Sequence, residues 1–237
     1  MALAAIITGA GSGIGRHIAT QLAAKDYRLA LVGRRGPMLE ETASMCRGAG
    51  HVCIAADLED PRACEGAADE AVRQLGRLDA LVNNAGWSPA ATIPQTTVDI
   101  ASRVFAINAI APCLLIARVW PTLERLARDE RRGGVVVNVS SMATVDPFPM
   151  LYAYAAAKAG VNSLARSVAI QGRPLGIRGF AVAPGAVETA LLRTIVPEKV
   201  LPTSKTLRPE RVANVVVECV LGDRDGQNGE TILLPSP

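Results

Sequence analysis

The sequence predicts an α/β fold built on one doubly wound parallel sheet of about seven strands. Three observations predict it. Short apolar runs alternate with longer helical stretches along the whole chain. The runs are continuously apolar rather than alternating, as parallel strands buried on both faces read. The first run leads directly into a glycine-rich turn, Thr8-Gly-Ala-Gly-Ser-Gly-Ile-Gly15, with a helical stretch behind it.

The expected strands are 3–8, 28–33, 51–56, 80–83, 135–140, 178–183 and 231–234. The expected helices are 13–25, 37–49, 61–75, 97–130, 152–171 and 209–221. Pro112 and Pro121 fall inside the fourth helix, where they kink or divide it. Residues Ala155 to Ala159 favour the fifth. No repeat, linker or low-complexity tract interrupts the chain, so 1–237 is read as one domain. Its 237 residues are 49% hydrophobic and 20% charged, which supports a sizeable core and excludes global disorder.

The net charge of +3 is modest. Arg125, Arg128, Arg131 and Arg132 are interleaved with Glu124, Asp129 and Glu130, a solvated helix end rather than a nucleic-acid surface. Five cysteines, an odd number without a C-x-x-C pair, suit reduced thiols in a cytoplasmic protein. No apolar run approaches the ~20 residues of a membrane span. The apolar start, 1–7, lacks a basic leader and a cleavage site, and reads as a strand rather than a signal peptide.

Gly9, Gly13 and Gly15 follow the first strand with the spacing G-x-x-x-G-x-G. Glycines there let the backbone approach a phosphate, and the next helix offers its free N–H groups and positive end, the Rossmann-type arrangement for a dinucleotide. A bare strand–helix turn is the competing reading. About 20 residues past the glycines, NAD sites place an acid for the ribose 2′-hydroxyl. Here no acid lies between Asp26 and Glu40; the sequence is Val32-Gly-Arg-Arg35. A guanidinium fork suits a 2′-phosphate, so NADP(H) is expected, with Arg34 first and Arg35 in support. Two solvated loop arginines are the alternative. Asp57, after the third strand, either accepts from the adenine amino group or caps the helix near Pro61.

Asn83-Asn-Ala-Gly86 closes the fourth strand and fits either a turn or a ligand-lined crevice. Asn108 lies among apolar neighbours in a helix, so its amide needs partners; it either serves the core or distorts its helix and holds a water near Lys158. The fifth strand ends in Asn138-Val-Ser-Ser141, where a Ser hydroxyl either meets a substrate carbonyl or serves a turn or cap. Tyr154 and Lys158 lie four apart on one helical face. A cation within ~4–6 Å lowers the pKa of a phenol, ordinarily near ~10, by ~1–3 units, which makes it a usable acid or base.

Together, these motifs resemble the short-chain dehydrogenase/reductase family in its single-domain form. The resemblance rests on 8–15, Asn83-Asn-Ala-Gly86, Asn108, Ser141, Tyr154-x-x-x-Lys158, and Pro184-Gly185 with Thr189, in the family's order. Tyr154 follows Ser141 by thirteen residues, which favours Ser141 over Ser140 and Tyr154 over Tyr152. The resemblance implies a tetrad: Tyr154 exchanges a proton with substrate, Lys158 lowers its pKa and holds the nicotinamide ribose, Ser141 orients the carbonyl, and Asn108 anchors a water. It implies cofactor contacts at Gly9, Ser12, Gly13, Ile14, Gly15, Arg34, Arg35, Asp57, Leu58, Asn84, Ala85, Gly86, Tyr154, Lys158, Pro184, Gly185, Val187 and Thr189, with Asn83 and Gly86 on the ribose side. It implies no metal, and a homodimer or homotetramer joined through 97–130 and 152–171. Departures from the family pattern are Ala183 before Pro184-Gly185, the link 171–178, and a tail without Gly-Gly.

Specificity is expected in loops 87–95, 142–151 and 190–206, the last a lid. Met142, Val145, Pro147, Phe148, Pro149, Met150 and Trp87 suggest a mostly apolar pocket for a small alcohol or ketone. A catalytically silent NADP-binding sensor is the alternative, and an intact tetrad argues against it.

Overall fold

The computed structural model describes residues 2–130 and 133–237. The expectations for Met1, Arg131 and Arg132 lie outside the described residues. The strands are β1 (Ala4–Thr8), β2 (Arg28–Gly33), β3 (Val52–Ala55), β4 (Ala80–Asn83), β5 (Val135–Val139), β6 (Arg178–Pro184) and β7 (Thr231–Leu234). They form one parallel sheet in the order β3-β2-β1-β4-β5-β6-β7. The order reverses between β1 and β4, which opens a crevice at the carboxyl ends of those strands.

Helices cover both faces: α1 (Gly13–Ala23), α2 (Gly36–Met45), α3 (Pro61–Leu75), α4 (Val98–Phe105), α5 (Ala111–Glu130), α6 (Tyr152–Gly172), the short α7 (Ala190–Ile195) and α8 (Pro209–Leu221). Because successive strand residues point to opposite faces, each strand feeds two cores. Ile7, Leu31, Val137 and Val182 pack with Ile18 and Leu22 of α1 and Val216 of α8. Their neighbours Ile6, Val32 and Val136 pack with Ala67 and Ala71 of α3 and Leu115 and Val119 of α5. The continuous apolar runs in the sequence are therefore two half-patterns superposed. Glycine at 179 sets how closely α6 lies on β6, because a methyl there would overlap the Ala165 carbonyl oxygen and Val168. This close approach brings Tyr154 and Lys158 to the sheet's carboxyl edge.

Asp79, just before β4, ties the sheet at its opposite edge. Its buried carboxylate accepts from the Ala4 backbone N–H (2.8 Å) and from Arg77 Nε (2.8 Å).

The expected helix 97–130 runs unbroken from Val98 to Glu130, with one irregular turn inside it. A π turn, Ala106–Ile110, separates α4 from α5 and carries Asn108. Pro112 directly follows the π turn, and Pro121 lies inside α5 without ending it. The stretch Val98–Glu130 is long and apolar enough, by length and composition, to cross a membrane, with a mean hydropathy of 1.9 in its richest window. This corrects the expectation that no apolar run approaches a span's length: averaging passes over Arg103, Asn108 and Pro112. One side of the stretch packs on α3 and α6, while Phe105 and Ile110 face outward. The expected helix 37–49 stops at Met45, where extended Cys46 caps it.

Candidate active site

One cleft of about 920 Å³ runs along the carboxyl ends of β1, β4, β5 and β6. Its floor at one end is the glycine turn. Gly9 and Gly13 adopt left-handed backbone, with φ of 65° and 52°, which favours glycine. A Cβ at Gly15 would overlap the Gly9 carbonyl oxygen. The turn is braced from outside. Thr8 Oγ1 accepts from the N–H groups of Asn84 (2.9 Å) and Ala85 (3.0 Å), and Asn84 Nδ2 donates to the Thr8 carbonyl (2.8 Å). Arg16 donates to the Gly11 carbonyl (2.8 Å) and pairs with Glu41 (2.8 Å). Ser12 precedes α1 but gives it no side-chain cap, so the helix's first N–H groups remain available to an anion. These residues fit a dinucleotide's pyrophosphate. Ser12, Gly13, Ile14, Asn84, Ala85 and Gly86 line the cleft there.

Arg34 and Arg35 lie at the same end, both exposed and lining the cleft, and Asp57 and Leu58 flank them. The α3 cap is Asp60, which accepts from the Arg62 N–H (2.9 Å). Asp57 instead closes a local turn with the Glu59 N–H (3.1 Å) and faces the cleft. The capping alternative for Asp57 is thus removed. Asn83 does not reach the cleft, contrary to expectation. It points into the sheet, where its Nδ2 donates to Asn138 Oδ1 (2.9 Å) across the β4–β5 pair.

Ser141, Tyr154 and Lys158 converge midway along the cleft. Ser141 hydrogen-bonds the Tyr154 hydroxyl, and its Oγ also accepts from the Ala143 N–H (3.1 Å). The Ser140 hydroxyl is buried and turned to the Lys158 carbonyl (3.3 Å), which accounts for the difference between the adjacent serines. Lys158 is buried. Its Nζ lies 5.6 Å from the Tyr154 ring centre and donates to the Val139 carbonyl at the end of β5 (2.7 Å). Burial pushes the Lys158 pKa down to about 8. Burial also pushes the Tyr154 phenol up to about 12, against a smaller lowering by Ser141. The expectation of a phenol lowered by its lysine is corrected here: desolvation sets the direction, the one lowering contact is Ser141, and the ammonium is directed at Val139.

Asn108 is fully buried and its amide is occupied. Nδ2 donates to the carbonyls of Trp87 (2.7 Å) and Val104 (2.8 Å), and Oδ1 accepts from the Trp87 N–H (3.2 Å). The side chain clamps the loop after β4 rather than facing the cleft. Gly86 sits between Asn108 and Lys158; a methyl there would come within 3.0 Å of Asn108 Oδ1 and 3.6 Å of Lys158 Nζ. At the far end of β6, Pro184, Gly185 and Val187 line the cleft. Thr189 lines it too, caps α7 through the Leu192 N–H (3.2 Å), and places its methyl over Gly13.

The family model described as short chain dehydrogenase matches residues 3–200, most of the chain and all of the cleft lining except Leu201, Pro235 and Ser236. The chain belongs to the short-chain dehydrogenase/reductase family. Among curated relatives, 2-(R)-hydroxypropyl-CoM dehydrogenase of Xanthobacter autotrophicus is 35% identical over 81% of this chain and 77% of its own length. D-threitol dehydrogenase of Mycolicibacterium smegmatis is 30% identical over 90% of this chain and 84% of its own. A Pseudocercospora fijiensis short chain dehydrogenase is 33% identical, and the match spans 60% of its length. Of solved structures, 3-ketoacyl-(acyl-carrier-protein) reductase from Brucella melitensis, complexed with NADH, has a TM-score of 0.90 at 26% identity, covering 98% of this chain and 96% of that one. Levodione reductase has a TM-score of 0.88 at 25% identity over the same shares.

Some parts of this dehydrogenase site were missed in the sequence. Ser236 is one: its Oγ accepts from the Ala186 N–H (2.8 Å), and a methyl at Gly185 would overlap it, so the tail packs against the turn after β6. Asp146 lines the cleft beside Trp87, Met142, Phe148 and Leu151. Ser236 carried no signal, because it braces backbone fifty residues earlier, and Arg16 carried none, because its pose depends on Glu41 of α2. Asp146 lies in a stretch already marked for specificity, where the apolar residues drew the reading.

Proposed function

We propose that this short-chain dehydrogenase/reductase is an NADP(H)-dependent alcohol dehydrogenase or carbonyl reductase acting on small, mostly apolar alcohols and ketones. The observation that carries this reading is the convergence of Ser141, Tyr154 and Lys158 midway along a cleft whose other end is the glycine turn. When bound, the nicotinamide cofactor supplies or accepts hydride. Tyr154 hands the matching proton to the substrate oxygen in reduction and removes it in oxidation. With its pKa pushed up to about 12 it is a neutral phenol near pH 7, set to donate. Ser141 holds the substrate oxygen and orients the phenol. Lys158 keeps a positive charge below about pH 8, beside the ring and within the cleft. Asn108 acts through the Trp87 loop, which keeps Gly86 flat against Lys158.

The NADP preference is supported by two cleft-lining arginines and no acid at the end of β2. By their names, the 2-(R)-hydroxypropyl-CoM and D-threitol dehydrogenases and the 3-ketoacyl reductase act on hydroxyl or keto compounds, which agrees with the reaction class. The outward apolar residues Phe105, Ile110 and Tyr152 support a homo-oligomer joined through α4, α5 and α6. Two solvated arginines without a phosphate partner would leave the cofactors equal, so the test compares them. A panel of ketones is assayed with NADPH and NADH at the nicotinamide absorbance, for the wild type and Arg34→Ala. A lost charged hydrogen bond is ~1.5–3 kcal/mol, so the variant weakens NADPH by roughly tenfold to a hundredfold. NADH binding stays close to wild type. Equal weakening of both overturns the cofactor assignment.

A further inference from the structure

The segment 190–206 follows β6 and closes the substrate end of the cleft. Leu191, Ile195, Val196, Val200 and Leu201 line it. Little regular structure supports this wall: α7 is six residues long, and a 3₁₀ turn, Thr203–Lys205, ends it. Arg193 is on α7 but does not line the cleft. We propose that Arg193 is a positioning residue that holds this segment as a preformed wall of the substrate pocket and thereby sets the size of substrate admitted.

Its guanidinium reaches four stations. Nε donates to Glu188 Oε1 (2.8 Å), and a second nitrogen pairs with the same carboxylate. Nη1 donates to the carbonyls of Leu201 (2.8 Å) and Val196 (3.4 Å), and Nη2 to Thr203 Oγ1 (3.4 Å). Glu188 is anchored in turn. Its N–H donates to the Leu207 carbonyl (2.9 Å), its carboxylate accepts from Thr206 Oγ1 (3.1 Å), and Val187 bridges to Leu207. One side chain thus joins the root of the segment, its middle and its return. An isolated surface ion pair contributes little. Here the planar fork also satisfies backbone carbonyls that no strand or helix serves, which a lysine's single ammonium cannot reproduce. The two charges hold each other: Arg193 keeps the Glu188 carboxyl below the usual range, so both are ionised at neutral pH.

The size-setting role rests on the proposed reductase reading; the ordering of the segment does not. Hydrogen exchange of the intact chain is measured at residues 194–206 for the wild type, Arg193→Gln, Arg193→Lys and Glu188→Gln. Losing the charged hydrogen bonds speeds exchange there about tenfold or more in Arg193→Gln, with β5 and β6 unchanged. Arg193→Lys falls between, and Glu188→Gln, which preserves volume, also loosens the segment. With NADPH, the KM of a bulky apolar ketone rises about tenfold in Arg193→Gln, while that of a small ketone, kcat and NADPH affinity stay within about twofold. Unchanged exchange in 194–206 overturns the proposal, as does a parallel loss of NADPH affinity or an equal KM rise for both ketones. If the wild type reduces no carbonyl while exchange responds as described, the reductase reading fails and the ordering role of Arg193 stands.

Discussion

Burial acts on Tyr154 and Lys158 in opposite senses, and each leaves a mark on stability. Lys158 falls from 10.5 to about 8, so between those values the unfolded chain binds more protons than the folded one. Unfolding free energy therefore rises with pH from about 8 towards 10.5. Tyr154 is raised from 10.0 to about 12, so the folded state keeps a proton that the unfolded chain has lost, and stability falls again across that window. Urea unfolding of the wild type and Lys158→Met from pH 7.5 upward checks this, in steps of about half a unit. The wild type gains stability above pH 8 and the variant does not; parallel curves would show that Lys158 is not desolvated. The Tyr–Lys spacing was legible because four residues make one helical turn. The direction of the Tyr154 shift was not, because it depends on the loops that cover the ring and on Val139 accepting the lysine's proton.

The π turn at Ala106–Ile110 and the loop after β4 form one device, joined by Asn108. Replacing that residue with alanine leaves the Trp87 N–H and carbonyl without their side-chain partners, each at a cost of ~1–3 kcal/mol. We expect Asn108→Ala to lower the urea midpoint accordingly and to slow turnover. Ser163→Ala, exposed on α6, should do neither. An unchanged midpoint for Asn108→Ala would mean that the clamp is unimportant. The sequence marked Asn108 as a polar group in an apolar helix, yet its partner lies 21 residues earlier, and no local pattern reports such a pairing. Strand and helix limits were read within a few residues, since continuous apolar runs bounded by Gly, Pro or Asn leave little latitude. The end of α2 at Met45 was not legible, because no Gly or Pro stands there and Cys46 adopts extended backbone within the core. That the long helix is irregular was legible from Asn108 and Pro112, but not that the irregularity is a π turn.

Across the whole molecule, the sheet is held at one edge by Asp79 and opened for chemistry at the other. Asp79 receives the Ala4 N–H and Arg77 while nearly excluded from solvent. Removing one partner of a buried pair costs ~3–5 kcal/mol, so Asp79→Ala should lose about that much stability by denaturant titration. NADPH affinity should persist under folding conditions, because the cleft lies at the opposite edge; a loss of affinity without a loss of stability would contradict this division. The fold class was legible because two-sided burial writes itself as uninterrupted hydrophobicity. The Gly turn, Ser141, Tyr154 and Lys158 were legible because their spacing is local. The outer wall was only delimited: its order comes from Glu188, Arg193, Leu201 and Thr206 meeting in space.

The central claim is that the Tyr154 hydroxyl moves the substrate's proton. The most direct measurement is NADPH oxidation by the wild type and Tyr154→Phe with the best ketone of the panel, alongside NADPH binding by fluorescence. Positioned proton transfer is worth ~10²–10⁴-fold, so Tyr154→Phe should lose at least a hundredfold in turnover while NADPH affinity holds. A Tyr154→Phe enzyme that reduces the ketone at a rate near the wild type would contradict the account.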